Sequence, residues 1–538
     1  MSESENLGVV VSGSLSEGLQ MRLAEGRSIE DLRAGRFVVV RGQHHRFFAM
    51  ITDVRLQAVS PDYLRHSVAL TTDAQREVVR AAGTYALVEL RPMLMLEEQA
   101  GEPTLRPVKT VPVHFSTVHE ASAEDVARIF GSEGQEAYFS VGTPLEMEAS
   151  PVCLDLVRFA ERSNAVFGKS GTGKTFLTRL LLAGLIRHRV AVNLVFDMHS
   201  EYGWQADSEG GGRVKGLKQL FQDRVAVYAL DEGSAKRRGV KVEKVLRIPL
   251  KEVDVEDVIL LAGELNLNPT AVETSNLLEN RYGRQWLPDF LAVETGGLKS
   301  LAEEIGAHAG ALSSLHRKLR TLRDRCRGFL VDDLPREDDA VARILDHLRQ
   351  GVSVVVEFGS YARPLQYMLV VNMLTRRIHE EYVKRTEESQ GGGSDRPQPL
   401  VITIEEAHKF LSPQLAGQTI FGTIARELRK YSVTLLIVDQ RPSGIDDEVL
   451  SQVGTKLLCL LDDERDVQAA LSGTPASAGL RGILARLETR QQALVLGHAV
   501  PMPVVLRTRT YGDEEFLKAM VLPSQRPLTA EDRDRDFA

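Results

Sequence analysis

The first 115 residues alternate short β-branched and aromatic runs with polar, turn-forming segments. Leu7–Ser12, Arg36–Arg41, Arg46–Thr52, Tyr85–Leu90 and Val108–Val113 are each six or seven residues long. Short strands at such spacing predict a small β-barrel over residues 1–120. Residues 121–150 read as a connecting segment, with a helix over Ala123–Phe130 and a strand near Glu136–Val141. From residue 151 the pattern changes: apolar runs alternate with helical periodicity, as in a parallel α/β sheet. Asn164–Phe167, Val190–Phe196, Val352–Phe358, Leu400–Ile404 and Val433–Val438 are its predicted strands. Between 254 and 348 the β-type runs vanish and helical patterning takes over. That predicts a helical insertion dividing the α/β core into 151–253 and 349–512. Gly391–Pro399 reads as a flexible surface loop, and 513–538 as a C-terminal helix and frayed tail.

The junction after Phe167 carries the strongest chemical signal. Gly168-Lys-Ser-Gly-Thr-Gly-Lys-Thr175 fills every fixed position of G-x-x-x-x-G-K-[ST], and it sits between an apolar strand and the largely apolar helix that begins at Phe176. Strand, glycine loop, helix is the context in which this pattern binds phosphate. Gly168, Gly171 and Gly173 let the backbone curl so that its N–H groups, including those of Lys169, Ser170 and Thr172, face a polyphosphate. Lys174 is placed to reach the β- and γ-phosphates, the Thr175 hydroxyl to hold Mg²⁺, and Phe176 to follow directly. The expected ligands are ATP and Mg²⁺.

Three acidic or polar clusters at strand ends extend the site. Leu400–Ile404 runs into Glu405-Glu406; adjacent strand residues point to opposite sides, so the two acids can divide the work. Glu405 is expected toward Mg²⁺ and Glu406 toward the attacking water, as catalytic base. Asp197, His199 and Glu201 follow the strand ending at Phe196, and acids there face the ligand crevice of an open α/β sheet. The same residues equally suit a capped turn, with Asp197 or Ser200 bonding the backbone. Gln440, after Val433–Val438, is placed to sense the γ-phosphate. Arg426 and Arg429 lie three apart on one predicted helix, a face that a ring would present to a neighbour's ATP.

Bulk properties narrow the setting. At 538 residues the chain exceeds one core and splits into domains. Its three cysteines lack C-x-x-C spacing, so neither a disulfide framework nor a zinc site is expected. The polar, acidic start is no signal peptide, and no apolar run is long enough for a membrane span, so a cytoplasmic protein is expected. The net charge of −8 does not advertise a DNA-binding surface. Basic groups do cluster locally: His316–Arg327 holds six Lys or Arg in twelve residues. Leu319 and Leu322 give that segment the apolar edge of a solvated amphipathic helix. Arg187-His-Arg189, ending the phosphate-loop helix, is explained by compensation of the helix dipole.

Together these motifs resemble the HerA branch of the HerA/FtsK ATPases. The likeness rests on F-G-K-S-G-T-G-K-T at 167–175, F-D-M-H-S-E-Y at 196–202 and I-E-E-A-H-K-F at 404–410. Its most specific piece is the string from Ala425 to Gln452, and Gln492–Val504 resembles a closing strand pair. The chain departs from the family pattern at Glu405, where Asp is common, and at Ser432-Val433, where Gly is frequent. The resemblance implies a HAS-barrel followed by a RecA-like P-loop core, a homohexameric ring, and ATP-driven translocation on double-stranded DNA. It further implies a nuclease of the NurA type, or another effector, docked on the barrel face for end processing in recombinational repair. An antiphage ATPase with a sirtuin-like or nuclease effector is the alternative within the same chemistry. A nucleotide-gated scaffold with little turnover is the alternative outside it, and Glu406 argues against that.

Overall fold

The computed structural model describes residues 6–60, 72–74, 77–79, 84–97, 104–145, 147–207, 212–335, 338–393, 396–417, 419–427, 430–474 and 477–520. The chain divides into two units. The first comprises Met1–Asp155, Phe167–Thr172 and Thr455–Arg509; the second comprises Leu156–Val166, Gly173–Gly454 and Thr510–Ala538.

The first unit begins with seven antiparallel strands: β1 (Asn6–Ser14), β2 (Gly18–Leu23), β3 (Phe37–Arg41), β4 (His45–Ala58), β5 (Thr84–Glu97), β6 (Thr104–Pro107) and β7 (Thr117–Glu120). Their order is β2-β1-β7-β3-β4-β5-β6, and β2 also pairs with β5. Six strands therefore close into a barrel, with β6 attached outside the ring along β5. Closure leaves no ring strand with an open row of backbone donors and acceptors. The interior follows the two-residue period of a pleated strand. Val38 and Val40, then Phe47, Ala49 and Ile51, then Val88 and Leu90 all point into one buried cluster with Met21 and Val118. Pro92 is tolerated inside β5 because it faces Ala49 where the register slips, between Phe48 and Ala49.

The expected strand at Val108–Val113 is not one; these residues form an irregular connection. Pro112 supplies no backbone N–H in the middle of the run, which works against a ladder there. The strand that closes this side is β7, which pairs with β1 and β3 and has a single aliphatic residue, Val118. The second strand of the unit, β2, also went unread, although Leu19 and Met21 alternate as a strand requires. Beyond the barrel the unit holds a second antiparallel group. Thr455–Leu458, Gln492–Gly497, Val504–Thr508, Tyr138–Pro144 and Val152–Asp155 pair in that order. The strand expected from Glu136 begins at Tyr138 because Ala137 takes a positive φ of 63°.

The second unit is built on parallel strands in the order Lys244–Val245, Val225–Ala229, Ser353–Glu357, Val192–Asp197, Leu400–Glu405 and Val433–Asp439. The strand Asn164–Phe167, which runs into the phosphate loop, lies beside Val433–Asp439. The six strands from Val225–Ala229 to Asn164–Phe167 are buried along their length, as strands of a parallel sheet covered on both faces are. Between 254 and 349 lie six α-helices, among them Val255–Leu260, Pro269–Tyr282 and Ala309–Arg325. A two-residue pairing of Leu330–Val331 with Ile248–Pro249 interrupts this helical region. Arg376 and Asn372, on the 27-residue helix Pro364–Gln390, tie it to the sheet's flank. Asn372 Nδ2 donates to Asp257 Oδ1 at 2.7 Å, and Arg376 Nη2 reaches Asp257 Oδ2 at 3.0 Å. The basic segment is the last part of Ala309–Arg325: Leu315, His316, Leu319 and Leu322 are buried, and Arg317, Arg320 and Arg325 are exposed. The chain's last described element is a helix, Glu514–Met520; the tail expected after it lies outside the described residues.

Within the first unit, Lys456 is 3% exposed, and its Nζ donates to the Ser472 carbonyl at 2.8 Å. Burial lowers its pKa to about 8 from a usual 10.5. The unfolded chain therefore holds this proton more tightly between those values, and stability rises as pH climbs from about 8 to 10.5. In Lys456→Met that part of the rise is expected to vanish, as urea unfolding at a series of pH values would reveal.

Candidate functional site

The loop after Phe167 is shaped by its own sequence and by the segment that follows Leu458. Gly171 and Gly173 take positive φ values of 77° and 90°, a region that favours glycine. Gly168 is required for space: a Cβ there would lie 2.6 Å from Cys459 Cβ. Backbone bonds continue the contact, with Cys459 N–H donating to Phe167 O at 2.8 Å and Lys169 N–H to Leu460 O at 3.0 Å. Lys169 is ion-paired with Asp462, and Thr172 Oγ1 donates to Lys169 O at 2.7 Å. The side chain of Lys169 is thus engaged with the protein, whereas Ser170 is exposed. The helix Lys174–His188 starts immediately after Gly173, with Lys174, Thr175 and Phe176 half-buried in its first turn. No side chain caps this N-terminus. Its backbone donors are left for an anion.

Carboxylates gather at the C-terminal ends of neighbouring parallel strands in the second unit. Asp197 and Glu357 are register partners, and Glu405 ends the strand on the other side of Asp197. Asp197 is fully buried. Its oxygens accept from the N–H groups of Glu201 and Tyr202, both at 2.8 Å, and of Gly203 at 3.3 Å. Of the two readings open for Asp197, the capped turn is the geometry observed. That turn holds Ser200 at φ 59°, leaves His199 exposed and Glu201 half-buried, and delivers Tyr202 inward. Burial, followed by the charge of Glu357, raises the Asp197 pKa to about 6. Glu357 is itself paired with Arg238.

Glu405 is the most perturbed acid of the group. Tyr202 donates its hydroxyl to Glu405 Oε1 at 2.9 Å, and Tyr367 donates to the Glu405 carbonyl at 3.0 Å. The other carboxylate oxygen, Oε2, is buried with no hydrogen-bond partner. Burial, then the neighbouring charge of Asp197, pushes its pKa up to about 8. A buried, half-satisfied carboxylate beside a second acid demands either a proton or a cation. This donor set therefore fits Mg²⁺, which characteristically takes one or two protein groups together with substrate phosphates. Among the described residues no cluster of three or more His, Cys, Asp or Glu is arranged to hold a metal by itself. The groups that would hold Mg²⁺ are the Thr175 hydroxyl and Glu405.

Glu406 faces a different environment. Its backbone is at φ 51°, an uncommon conformation for a non-glycine residue, so the chain leaves the strand sharply there. Gln440 Nε2 donates to Glu406 Oε1 at 3.1 Å, and His408 Nε2 lies 3.8 Å from Glu406 Oε2. His408 is steadied from behind by Asp439: its backbone N–H donates to Asp439 Oδ2 at 2.8 Å, and Nδ1 lies 3.0 Å from the same oxygen. That hydrogen bond raises the His408 pKa above its usual value, outweighing the effect of burial. The result is a half-buried carboxylate held between an amide and an imidazole, within reach of water.

Of the two arginines, Arg426 is among the described residues. Arg426 ends the helix Ile420–Glu427, where Nη1 lies 3.3 Å from Glu448 Oε2 and Nη2 donates to Ala416 O at 3.1 Å. Arg429 lies outside the described residues. Five further residues belong to the site without having been singled out: Tyr202, Glu357, Tyr367, His408 and Asp439. Tyr202 and His408 stand inside recognised motifs. Glu357 betrays itself only as one acid closing a run of valines.

Residues 139–378 match the family described as the central domain of helicase HerA, and residues 7–98 match the HAS barrel domain. The chain is similar to the DNA double-strand break repair helicase HerA of Pyrococcus furiosus, 23% identical over 420 residues, 72% of each chain. It is likewise similar to the protein of that name from Saccharolobus solfataricus, 23% identical over 494 residues, 88% of this chain and 87% of that one. Among solved structures, VirB4 of Thermoanaerobacter pseudethanolicus aligns over 70% of this chain and 97% of its own, at 14% identity and a TM-score of 0.45.

The Tyr202 hydroxyl is the one group that satisfies the Glu405 carboxylate. Tyr202→Phe keeps the ring and its packing. The Mg²⁺ concentration giving half-maximal ATP turnover is expected to rise roughly tenfold, the scale of lost outer-shell partners. An unchanged Mg²⁺ dependence would separate Glu405 from the metal.

Proposed function

We propose that this chain, whose residues 139–378 match the central domain of helicase HerA and residues 7–98 the HAS barrel domain, is a HerA-type ATPase that couples ATP hydrolysis to movement along double-stranded DNA. The observation that carries the hydrolytic part is Glu406, a carboxylate in a strained backbone position, gripped by Gln440 and flanked by His408. A protein that only binds nucleotide has no use for such a group. In this reading the phosphate loop and Lys174 bind the polyphosphate, and Thr175 and Glu405 hold Mg²⁺, which neutralises charge on the β- and γ-phosphates when bound. Glu406 accepts a proton from the attacking water. Gln440, bonded to Glu406, shifts when a γ-phosphate is present and so reports the nucleotide state to the strand Val433–Asp439.

The proposed assembly is a homohexameric ring. Arg426 gives it a chemical reason: its partners within the chain are one exposed carboxylate and one carbonyl. Such surface bonds are exchanged at little cost for a neighbour's γ-phosphate. The names of the relatives support a role in double-strand break repair. Within that role we place a nuclease of the NurA type, or another effector, on the barrel.

Glu406→Gln keeps the hydrogen bond to Gln440 and removes the base. It should lower kcat by about 10²- to 10⁴-fold, with ATP still bound and the ring intact; wild-type turnover would refute the assignment. Steady-state ATPase with and without linear duplex DNA tests the translocase itself. Marked stimulation is expected, and an assembled ring indifferent to DNA would refute it. Arg426 is tested in mixed rings: subunits lacking Lys174 but keeping Arg426 should restore hydrolysis at neighbours built from Arg426→Ala chains, and absence of rescue would exclude the trans role.

A further inference from the structure

At the N-terminal edge of the parallel strands, opposite the acids, lies a cavity of about 320 Å³ in the second unit. Arg189, Arg224, Gln350 and Gln398 line it, with Gly351–Ser353 as one wall and no Asp or Glu among the lining residues. Four separate stretches of chain deliver these groups: the end of the phosphate-loop helix, the residue before strand Val225–Ala229, the residues before Ser353–Glu357 and those before Leu400–Glu405.

Two observations set this cluster apart from ordinary surface arginines. Arg189 is the C-cap of helix Lys174–His188 and takes φ 55° and ψ 29°, a left-handed conformation that favours glycine. An arginine held there suggests a task for its side chain. Compensation of the helix dipole accounts for Arg187 and Arg189, but not for Arg224, which another element brings to the same place. Second, the charges are unbalanced. Among the described residues no carboxylate pairs with Arg189 or Arg224, although the whole chain has a net charge of −8. Burial and the positive charges of Arg189 and Arg187 lower the Arg224 pKa. Gln398 closes the wall by donating to the Arg189 carbonyl at 3.3 Å, and its Oε1 stands beside Gly351.

We infer that this cavity is a second anion site, taking a phosphate-bearing small molecule of about nucleotide size. Its volume falls at the small end of the range for such ligands. Two guanidinium groups supply planar, charge-assisted donors, and the glutamine amides add neutral ones. The two anion sites then occupy opposite ends of one helix, Lys174–His188.

The test is calorimetric titration of pyrophosphate into the full-length protein carrying Lys174→Ala, which weakens the phosphate loop. A saturable site is expected. Adding Arg189→Gln and Arg224→Gln should weaken it roughly tenfold or more. Residual binding at the phosphate loop would not respond to those two changes. Equal affinity with and without them, or no saturable binding at millimolar pyrophosphate, would overturn the inference. Circular dichroism checks the fold. If the double change fails to fold, Arg224→Gln alone provides the comparison, since among the described residues no hydrogen bond or ion pair uses that side chain.

Discussion

The arrangement of the second unit turns on burying carboxylates side by side. Asp197, Glu357 and Glu405 end three adjacent strands, and Glu357 and Asp197 are fully buried. Water cannot screen them, so each needs its own counterweight. Asp197 has three backbone N–H groups, Glu357 has Arg238, and Glu405 has one tyrosine hydroxyl and an open oxygen. Glu357 too keeps one unbonded oxygen, Oε1, but Arg238 stands beside it, whereas among the described residues no cation pairs with Glu405. Glu405 is thus left with an open oxygen and a buried charge that a bound cation would offset.

The same row explains why the neighbouring segments look as they do. Gly203 has no side chain because a Cβ would come within 2.7 Å of Glu357 Oε1. Tyr202 and Tyr367 are buried whole because each must bring a hydroxyl to Glu405. Arg238 reaches across from a helix on a different connection. Glu406, one residue further, escapes this environment through its left-handed turn and meets His408 and Gln440 instead. Adjacent acids in sequence thus acquire opposite surroundings, one starved of partners and one held open to solvent.

Much of this was legible where the determinants are local. The strand Asn164–Phe167, the glycine loop and the helix beginning at Lys174 are written in consecutive residues, and helix Ala123–Phe130 carries its own capping box at Ser122 and Asp125. What was not legible depends on which strands are neighbours. Glu357 matters because Ser353–Glu357 pairs with Val192–Asp197, although Glu357 follows its register partner Asp197 by 160 positions. Asp439 matters because His408 folds back on it. The barrel offers the same lesson on a smaller scale. Val108–Val113 has the better strand composition, but Pro112 denies it a backbone donor, and the less promising Thr117–Glu120 closes the ring between β1 and β3.

The close fit of Gly168 against Cys459 bears on how the protein is made. The glycine loop is synthesised early, yet the backbone that accepts and donates its flanking hydrogen bonds, at Cys459 and Leu460, leaves the ribosome almost three hundred residues later. Until then the loop lacks its floor, and contacts so distant in sequence form late because chain closure must come first. The nascent chain therefore carries the signature of a phosphate site long before it has a working one. The contacts with Cys459 and Leu460 that fix the loop's folded shape can form only once most of the polypeptide has been made.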